Sequence, residues 1–227
     1  MQNTVPVLLA LYIIASVADC IRIRQGKSRI VKPFLMPLLT AFYLAACAAY
    51  AIPVQKLLVF ALLCSFAGDV FLVFTGKSPA FLVAGGFFFG CAHVFYSLLF
   101  SSGIEVLSPF HPVLSYLACG ICILSGGFLL GFMCRLFSGH ARLCALIYML
   151  LLFLMCFAAS VRFWAKGTPA ALVCFAGSLL FVLSDTLLAQ NAAEVLSHGK
   201  ALRRRPVMQM YLLAQLLITA SWLAAGA

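Results

Sequence analysis

Two aspartates lie deep inside hydrophobic runs of a chain that contains only five acidic residues. Asp69 ends the string Leu62-Leu-Cys-Ser-Phe-Ala-Gly-Asp69, Asp185 ends the string Leu179-Leu-Phe-Val-Leu-Ser-Asp185, and apolar residues follow both. Placing an ionisable carboxyl in the hydrocarbon region of a membrane is energetically costly. Both aspartates are therefore candidate functional residues.

Two carboxyl groups that share one buried site would provide both an acid and a base. Repulsion between like charges disfavours ionisation of both groups, so one carboxyl keeps a proton while the other acts as the conjugate base. Such a pair suits acid-catalysed cleavage through an oxocarbenium-like state, followed by addition of an activated water. In a membrane, this chemistry implies a lipid-like substrate.

The elements that position these aspartates are predicted to be membrane-spanning helices. Hydrophobic residues make up 65% of the 227-residue chain and charged residues 9%, whereas soluble domains have about 45–50% and about 25%. We predict an all-α membrane fold, a polytopic bundle of eight transmembrane helices that forms a single integral-membrane domain over residues 1–227. Segments of the required length of roughly 20 residues lie at about 4–21, 34–52, 56–74, 81–100, 112–133, 142–163, 169–190 and 206–225.

The formal net charge of +10 is explained by membrane topology rather than by nucleic acid. Twelve of the fifteen lysines and arginines fall in the odd-numbered connections between the predicted helices, and the other three fall in the even-numbered ones. The positive-inside rule therefore predicts cytoplasmic odd-numbered connections. Both termini are then expected on the extracytoplasmic side, the lipid bilayer is the expected partner, and no nucleic acid is expected.

The depth of the polar groups predicts which of them can meet. Asp69 and Asp185 each lie five residues before the predicted cytoplasmic end of their helix, about 8 Å in from that boundary at 1.5 Å per residue. They are therefore expected at the same depth. Other polar side chains are expected nearby, forming a pocket in the cytoplasmic half of the membrane: Lys32, His93, Tyr96, Tyr148, Tyr211 and Gln215. Taken singly, each of these residues also fits a purely structural role.

Small residues predict where helices approach closely. Gly86-x-x-x-Gly90 in the fourth helix and Gly127-x-x-x-Gly131 in the fifth have the small-xxx-small spacing that lets membrane helices pack backbone to backbone. Gly86, Gly90 and His93 fall on one stripe at helical spacing. We therefore expect the fourth helix to pack along this stripe.

The ordered set of these motifs resembles the YhhN-like family of eight-helix membrane proteins, which includes lysoplasmalogenases. The motifs are Lys32-Pro33, Gly68-Asp69-Val-Phe-Leu72, His93-x-x-Tyr96, Tyr148, Phe181-Val-Leu-Ser184-Asp185-Thr-Leu-Leu188 and Tyr211-x-x-x-Gln215. The resemblance implies hydrolysis of the vinyl ether bond of a lysoplasmalogen. The products would be a fatty aldehyde and a glycerophospho-ethanolamine or glycerophospho-choline, with Asp69 and Asp185 as the catalytic pair.

The resemblance also implies a lysophospholipid as substrate and a location in the bacterial cytoplasmic membrane. Lys32 would meet the headgroup phosphate at the cytoplasmic mouth, and the remaining substrate-binding residues would be His93, Tyr96, Tyr148, Ser184, Tyr211 and Gln215. No cofactor is expected. No metal is expected either, because no His/Cys/carboxylate set has ligand spacing. The oligomeric state and the division of labour between the aspartates stay open.

Other functions remain alternatives at this point. A proton-coupled small-molecule or lipid transporter would use two membrane carboxyls as a proton relay, although the chain is small and neither aspartate lies in a Gly/Pro-broken helix. Ala67-Gly68-Asp69 is similar to the Gly-x-Gly-Asp signature of intramembrane aspartyl proteases, but Phe66 stands in place of the first glycine. A structural or sensor protein is the third alternative.

Overall fold

The described residues of the protein form eight α-helices. The computed structural model describes residues 2–24, 31–75, 77–78, 80–104, 112–198 and 205–226, and no strand occurs among them. In chain order the helices are α1 (Thr4–Arg24), α2 (Lys32–Tyr50), α3 (Lys56–Val73), α4 (Ala80–Ser101), α5 (Pro112–Leu136), α6 (Gly139–Lys166), α7 (Pro169–His198) and α8 (Arg205–Gly226). Each contains a stretch that is long and apolar enough to cross a membrane. The prediction of an all-helical membrane protein with eight spanning segments is confirmed.

Several helices extend beyond their predicted bounds, and α6 and α7 illustrate this at a helix start and a helix end. α6 begins at Gly139 rather than at residue 142, and α7 continues to His198 rather than ending at 190. Hydropathy marks the apolar stretch, whereas a helix continues until a breaker ends it, and Asn191-Ala-Ala-Glu-Val-Leu contains none. The distance from each aspartate to the end of its helix therefore differs, because α3 ends four residues after Asp69 and α7 ends thirteen residues after Asp185. These helix ends do not assign the two aspartates a common depth.

The chain divides into two compact units. The first unit contains Met1–Leu99 together with Thr219–Ala227, and the second contains Phe100–Ile218. Helices α1 to α3 and almost all of α4 belong to the first unit, while α5, α6, α7 and most of α8 belong to the second. The single domain expected over residues 1–227 stays a prediction.

In the first unit, α2 packs against both α1 and α3. α3 and α4 meet at two glycines, because a Cβ on Gly68 would lie 2.7 Å from the Phe89 ring and one on Gly85 would lie 3.2 Å from the Gly68 carbonyl oxygen. A Cβ on Gly86 would meet nothing within 4 Å among the described residues. The prediction that Gly86 forms the seam is wrong by one position, which on a helix turns the contact by about 100°.

In the second unit, α6 packs against both α5 and α7. α7 meets α8 closely at Gly177, where an added Cβ would lie 3.0 Å from Ile218 Cγ1. In α5 the close contact is at Gly126, which faces the Phe153 ring of α6, whereas Cβ atoms on Gly127 and Gly131 would meet nothing within 4 Å in the described part of the chain. The Gly127-x-x-x-Gly131 spacing, which also fits scattered small residues, therefore does not mark the close contact of α5.

Candidate functional site

Asp69 is fully buried in α3 of the first unit and is paired with a cation. Lys32 Nζ lies 2.8 Å from Asp69 Oδ1, and the lysine side chain is 19% exposed. Lys32 is the first residue of α2, and Pro33 after it suits the first turn of a helix because proline lacks only an N–H that would be unpaired there. Packing of α2 against α3 brings the ammonium to the carboxylate. The predicted site residues Lys32 and Asp69 therefore meet.

The α4 residues predicted for the site are also buried in the first unit. His93 and Tyr96 are fully buried and lie three positions apart, close to one helical turn. The His93 carbonyl accepts a hydrogen bond of 2.7 Å from Ser97 Oγ. Gly68, next to Asp69, lets α3 approach the α4 ring of Phe89. The first unit thus contains four of the nine predicted site residues.

A third buried aspartate, Asp19, was not predicted from the sequence. Asp19 of α1 is only 1% exposed and lies within electrostatic range of both Lys32 and Asp69. The available signal was a polar stripe at helical spacing in the first hydrophobic run, formed by Tyr12, Ser16 and Asp19. Asp19 lies two residues before the predicted end of that segment, beside basic residues, a position that is also typical of a solvated helix end.

Asp185 is 4% exposed in α7 of the second unit. The Tyr148 hydroxyl of α6 donates a hydrogen bond to Asp185 Oδ2. The phenol can reach the carboxyl because α6 packs along α7. Tyr148 and Asp185, both predicted from the sequence, therefore form one hydrogen-bonded pair.

The other predicted residues of the second unit lie on α7 and α8. Ser184 Oγ donates a 2.8 Å hydrogen bond to the Val207 carbonyl, which ties the start of α8 to α7. The Tyr211 ring packs edge-on against Phe181 at 5.5 Å between ring centroids. Gln215, four positions after Tyr211 on α8, is fully buried. In this unit Ser184 and Tyr211 thus hold α7 and α8 together.

The two units offer different carboxyl chemistry. Asp69 faces the positive charge of Lys32, which stabilises a carboxylate. Asp185 accepts from a neutral phenol instead. One unit therefore holds a carboxyl suited to act as an anion, and the other holds a carboxyl that accepts a hydrogen bond from an uncharged phenol. The expectation that Asp69 and Asp185 share one site stays a prediction.

Eight apolar helices with a buried aspartate in each unit define a polytopic membrane protein with intramembrane carboxyls. The chain belongs to the YhhN family, whose model matches residues 27–222. Searches of curated proteins and of solved structures find no match to this chain. The matched stretch includes all nine predicted site residues and excludes Asp19 of α1.

Proposed function

We propose that this protein is a lysoplasmalogenase-like ether hydrolase. It would cleave the vinyl ether bond of a lysoplasmalogen to a fatty aldehyde and a glycerophospho-ethanolamine or glycerophospho-choline. The observation that supports this best is the burial of both aspartates of the predicted pair, Asp69 beside an ammonium and Asp185 beside a phenol. Membership of the YhhN family, with which lysoplasmalogenase-like proteins are associated, supports the same reaction.

The partners of the two carboxyls suggest their roles in this proposal. Asp185 would donate a proton to the β carbon of the vinyl ether, which produces an oxocarbenium ion. Asp69, held as a carboxylate by Lys32, would take a proton from the water that adds to this ion. When the hemiacetal collapses, Asp69 returns its proton to the departing glycerol oxygen and Asp185 accepts the hemiacetal hydroxyl proton. Both carboxyls then regain their starting states.

The remaining site residues would bind and orient the lipid in this proposal. An ammonium has three N–H donors, so Lys32 can hold Asp69 and also donate to the headgroup phosphate. Tyr148 would keep the Asp185 carboxyl in place. His93, Tyr96 and Gln215 would position the ether oxygen or the water. Ser184 and Tyr211 would hold the α7–α8 wall of the substrate site in place.

The proposal is tested with purified protein and a pair of matched lipids. Lysoplasmenyl-ethanolamine should release free aldehyde, while the saturated ether analogue should release none, because an alkyl ether cannot form the oxocarbenium ion by protonation at carbon. Asp69→Asn and Asp185→Asn should abolish aldehyde release. Thr40→Val, in the first unit, and Thr186→Val, in the second, are controls, because each removes a hydroxyl that donates to a carbonyl of its own helix.

Full activity in either aspartate variant, with the protein folded, would refute the proposed catalytic pair. Uptake of lipid into sealed vesicles without any aldehyde would instead favour the transporter alternative, in which the carboxyls relay protons. Equal cleavage of both lipids would point to a different bond.

Orientation in the membrane is part of the proposal. The excess of Lys and Arg in the odd-numbered connections supports a cytoplasmic side for those connections, and both termini would then lie on the extracytoplasmic face of a bacterial cytoplasmic membrane. A reporter that is active only outside the cytoplasm, fused after Ala227, should give a signal. A reporter active only inside the cytoplasm, fused at the same residue, should give none; the opposite pair of results would reverse the orientation.

A further inference from the structure

One narrow stripe of α1 is covered by the rest of the first unit. Over residues 4–22 the buried positions are Val5, Tyr12 and Asp19, which are 7%, 1% and 1% exposed. They follow one another at seven-residue intervals, which keeps them on the same side of a helix. α1 packs against α2, so the stripe is the side by which α1 joins its unit. An aspartate therefore stands at the end of an otherwise apolar and aromatic contact.

Asp19 is a buried carboxyl whose needs the described residues do not meet. Its Oδ2 is buried without a hydrogen-bond partner there, and no ion pair of Asp19 occurs in the described part of the chain. Asp69 and Asp185, in contrast, have an ammonium and a phenol. A buried polar atom without a partner costs stability and calls for an explanation, such as a bound ion or molecule that supplies the missing donor.

Asp19 also lies at the edge of the buried region, on the side of the unit where Lys32 is found. Arg22, one turn further along α1, is exposed, and α1 ends at Arg24. α2 begins at Lys32, and the end of one spanning helix and the start of the next lie on the same side of a membrane. At 1.5 Å per residue, Asp19 is about 8 Å from the end of α1, and Asp69, which the Lys32 ammonium reaches, is about 6 Å from the end of α3. The unpartnered carboxyl and the ammonium thus lie at the same end of the unit.

A phosphoethanolamine headgroup carries the two charges that complement such a pair. Its phosphate is negative and its primary ammonium, two carbons away, is positive. Lys32, whose side chain is 19% exposed, is the cation for the phosphate in the proposed function. A primary ammonium has three N–H donors, and its hydrogen bonds to a carboxylate are strong because both groups are charged. The quaternary ammonium of choline has no N–H and offers only its charge.

We propose that Asp19 binds the ammonium of the substrate headgroup and makes the protein prefer ethanolamine lysolipids to choline lysolipids. Asp19 Oδ2 accepts an N–H from the primary ammonium, which supplies both the donor and the positive charge that this oxygen lacks. Asp19 lies outside the residues matched by the family model, so the headgroup preference is a property of α1. This inference rests on the proposed function, because it names the headgroup of the same substrate.

The first test measures binding and needs no reaction. Three saturated ether lysolipids with the same alkyl chain, which carry ethanolamine phosphate, choline phosphate or phosphate alone, compete with a fluorescent lysolipid for the purified protein in nanodiscs. The wild-type protein should bind the ethanolamine lipid about tenfold more tightly than the choline lipid, the effect of one hydrogen bond to a charged group. Asp19→Asn should weaken binding of the ethanolamine lipid most, of the choline lipid less, and of the phosphate lipid not at all.

Two further variants show whether Asp19 acts on the headgroup or on the fold. Asp19→Glu keeps the carboxylate and should keep the preference for ethanolamine, while Thr40→Val, in the same unit, should change none of the three affinities. An equal loss of affinity for all three lipids in Asp19→Asn would overturn the inference, since Asp19 would then only support the fold. Equal affinity of the wild-type protein for the ethanolamine and choline lipids would overturn it as well. If Asp19→Asn does not fold, Asp19→Ser serves as the neutral variant, and the wild-type comparison needs no variant.

The second test compares aldehyde release from the two vinyl ether lipids. The ratio of kcat/KM for lysoplasmenyl-ethanolamine to that for lysoplasmenyl-choline should be about ten in the wild-type protein and should fall toward one in Asp19→Asn. The change should lie in KM rather than kcat, because the lost contact is made equally in the ground state and in the transition state.

The two tests separate this inference from the proposed function. A kcat/KM ratio that Asp19→Asn leaves unchanged would overturn the inference alone, because aldehyde release itself would still support the hydrolase. If the wild-type protein releases no aldehyde, the proposed function fails. The order in which the three uncleavable lipids bind then still decides whether Asp19 holds the ammonium.

Discussion

Asp69 and Asp185 lie in similar strings, [Gly/Ser]-Asp-x-x-Leu, but the side chains that contact them differ between the two units. In the first unit the carboxyl is paired with the Lys32 ammonium at 2.8 Å. In the second unit it accepts a hydrogen bond from the Tyr148 phenol. The neighbouring helix supplies the partner in each case, α2 in the first unit and α6 in the second.

The residue before each aspartate differs as well, and so does its structural use. Gly68 has no side chain and lets α3 approach the Phe89 ring of α4. Ser184 uses its hydroxyl to bind the Val207 carbonyl at the start of α8. Two similar strings therefore place their helices by different means, one by close packing and one by a hydrogen bond.

The largest expected effect is the loss of either carboxyl. Asp69→Asn and Asp185→Asn should each lower kcat for aldehyde release by about 10²–10⁴-fold, the usual contribution of a general acid or base. Acidic buffer should partly restore Asp185→Asn, because hydronium can protonate a vinyl ether, but it should not restore Asp69→Asn. Rate measurements across pH check this, and equal restoration of both variants would contradict the assigned roles.

The next largest effect is expected when the Lys32 ammonium is removed, which should lower the stability of the protein. Lys32→Met leaves the buried Asp69 carboxylate without its ion-pair partner, which should lower the free energy of unfolding by about 3–5 kcal/mol. The double variant Lys32→Met/Asp69→Asn should regain most of this loss. Thermal unfolding can be followed with a thiol-reactive dye that reports exposure of the buried cysteines Cys47, Cys156 and Cys174. A double variant as unstable as Lys32→Met would contradict the ion pair.

Tyr148→Phe is the corresponding change in the second unit, and it should be milder. It removes one hydrogen bond to a carboxyl, worth about 1.5–3 kcal/mol if the carboxyl is charged, so kcat should fall by about 10–100-fold. The melting temperature should change less than in Lys32→Met, because no charge loses a counter-ion. A stability loss as large as that of Lys32→Met would show that Tyr148 matters as much structurally as the lysine does.

The glycine before Asp69 should tolerate no side chain. Gly68→Ala places a Cβ 2.7 Å from the Phe89 ring, and such overpacking should lower stability by about 1–3 kcal/mol. Gly86→Ala, on the same pair of helices, is the matched control, because its Cβ would meet no described atom within 4 Å. Equal melting temperatures of the two variants would argue against the seam at Gly68 and Gly85.

The serine before Asp185 should contribute least. Ser184→Ala removes the hydrogen bond to the Val207 carbonyl and should lower the free energy of unfolding by about 1 kcal/mol. If Ser184 also binds substrate, KM should rise in the same variant. Unchanged stability together with a raised KM would indicate that Ser184 binds substrate rather than stabilising the contact between α7 and α8.

Much of the architecture follows from composition and spacing. Runs of apolar residues of about 20 must be helices in a membrane, because no water is present to satisfy backbone polar groups. The number of helices and the unusual position of Asp69 and Asp185 are therefore readable from the chain. The predicted helix boundaries were less accurate. α6 and α7 continue past the predicted apolar stretches, because the backbone groups of a helix are hydrogen-bonded within the helix even where no hydrocarbon surrounds it.

Tertiary packing decided which face of each helix is buried and which side chains meet across helices. Neighbouring residues on a helix point about 100° apart, so Gly85 rather than Gly86, and Gly126 rather than Gly127, makes the close contact once the helices are placed. Spacing within one helix cannot say which stripe its neighbour covers. Asp19 was missed for the same reason, since its burial depends on how α1 packs on α2.

The sequence by itself determined that the protein is an eight-helix membrane protein with two costly intramembrane aspartates, because hydropathy and helix length are local properties. Only the tertiary structure decided that Lys32 pairs with Asp69, that Tyr148 donates to Asp185 and that Asp19 is buried. The charge and hydrogen-bonding partner of a buried carboxyl come from neighbouring helices, and these neighbours are chosen by packing between segments far apart in the chain.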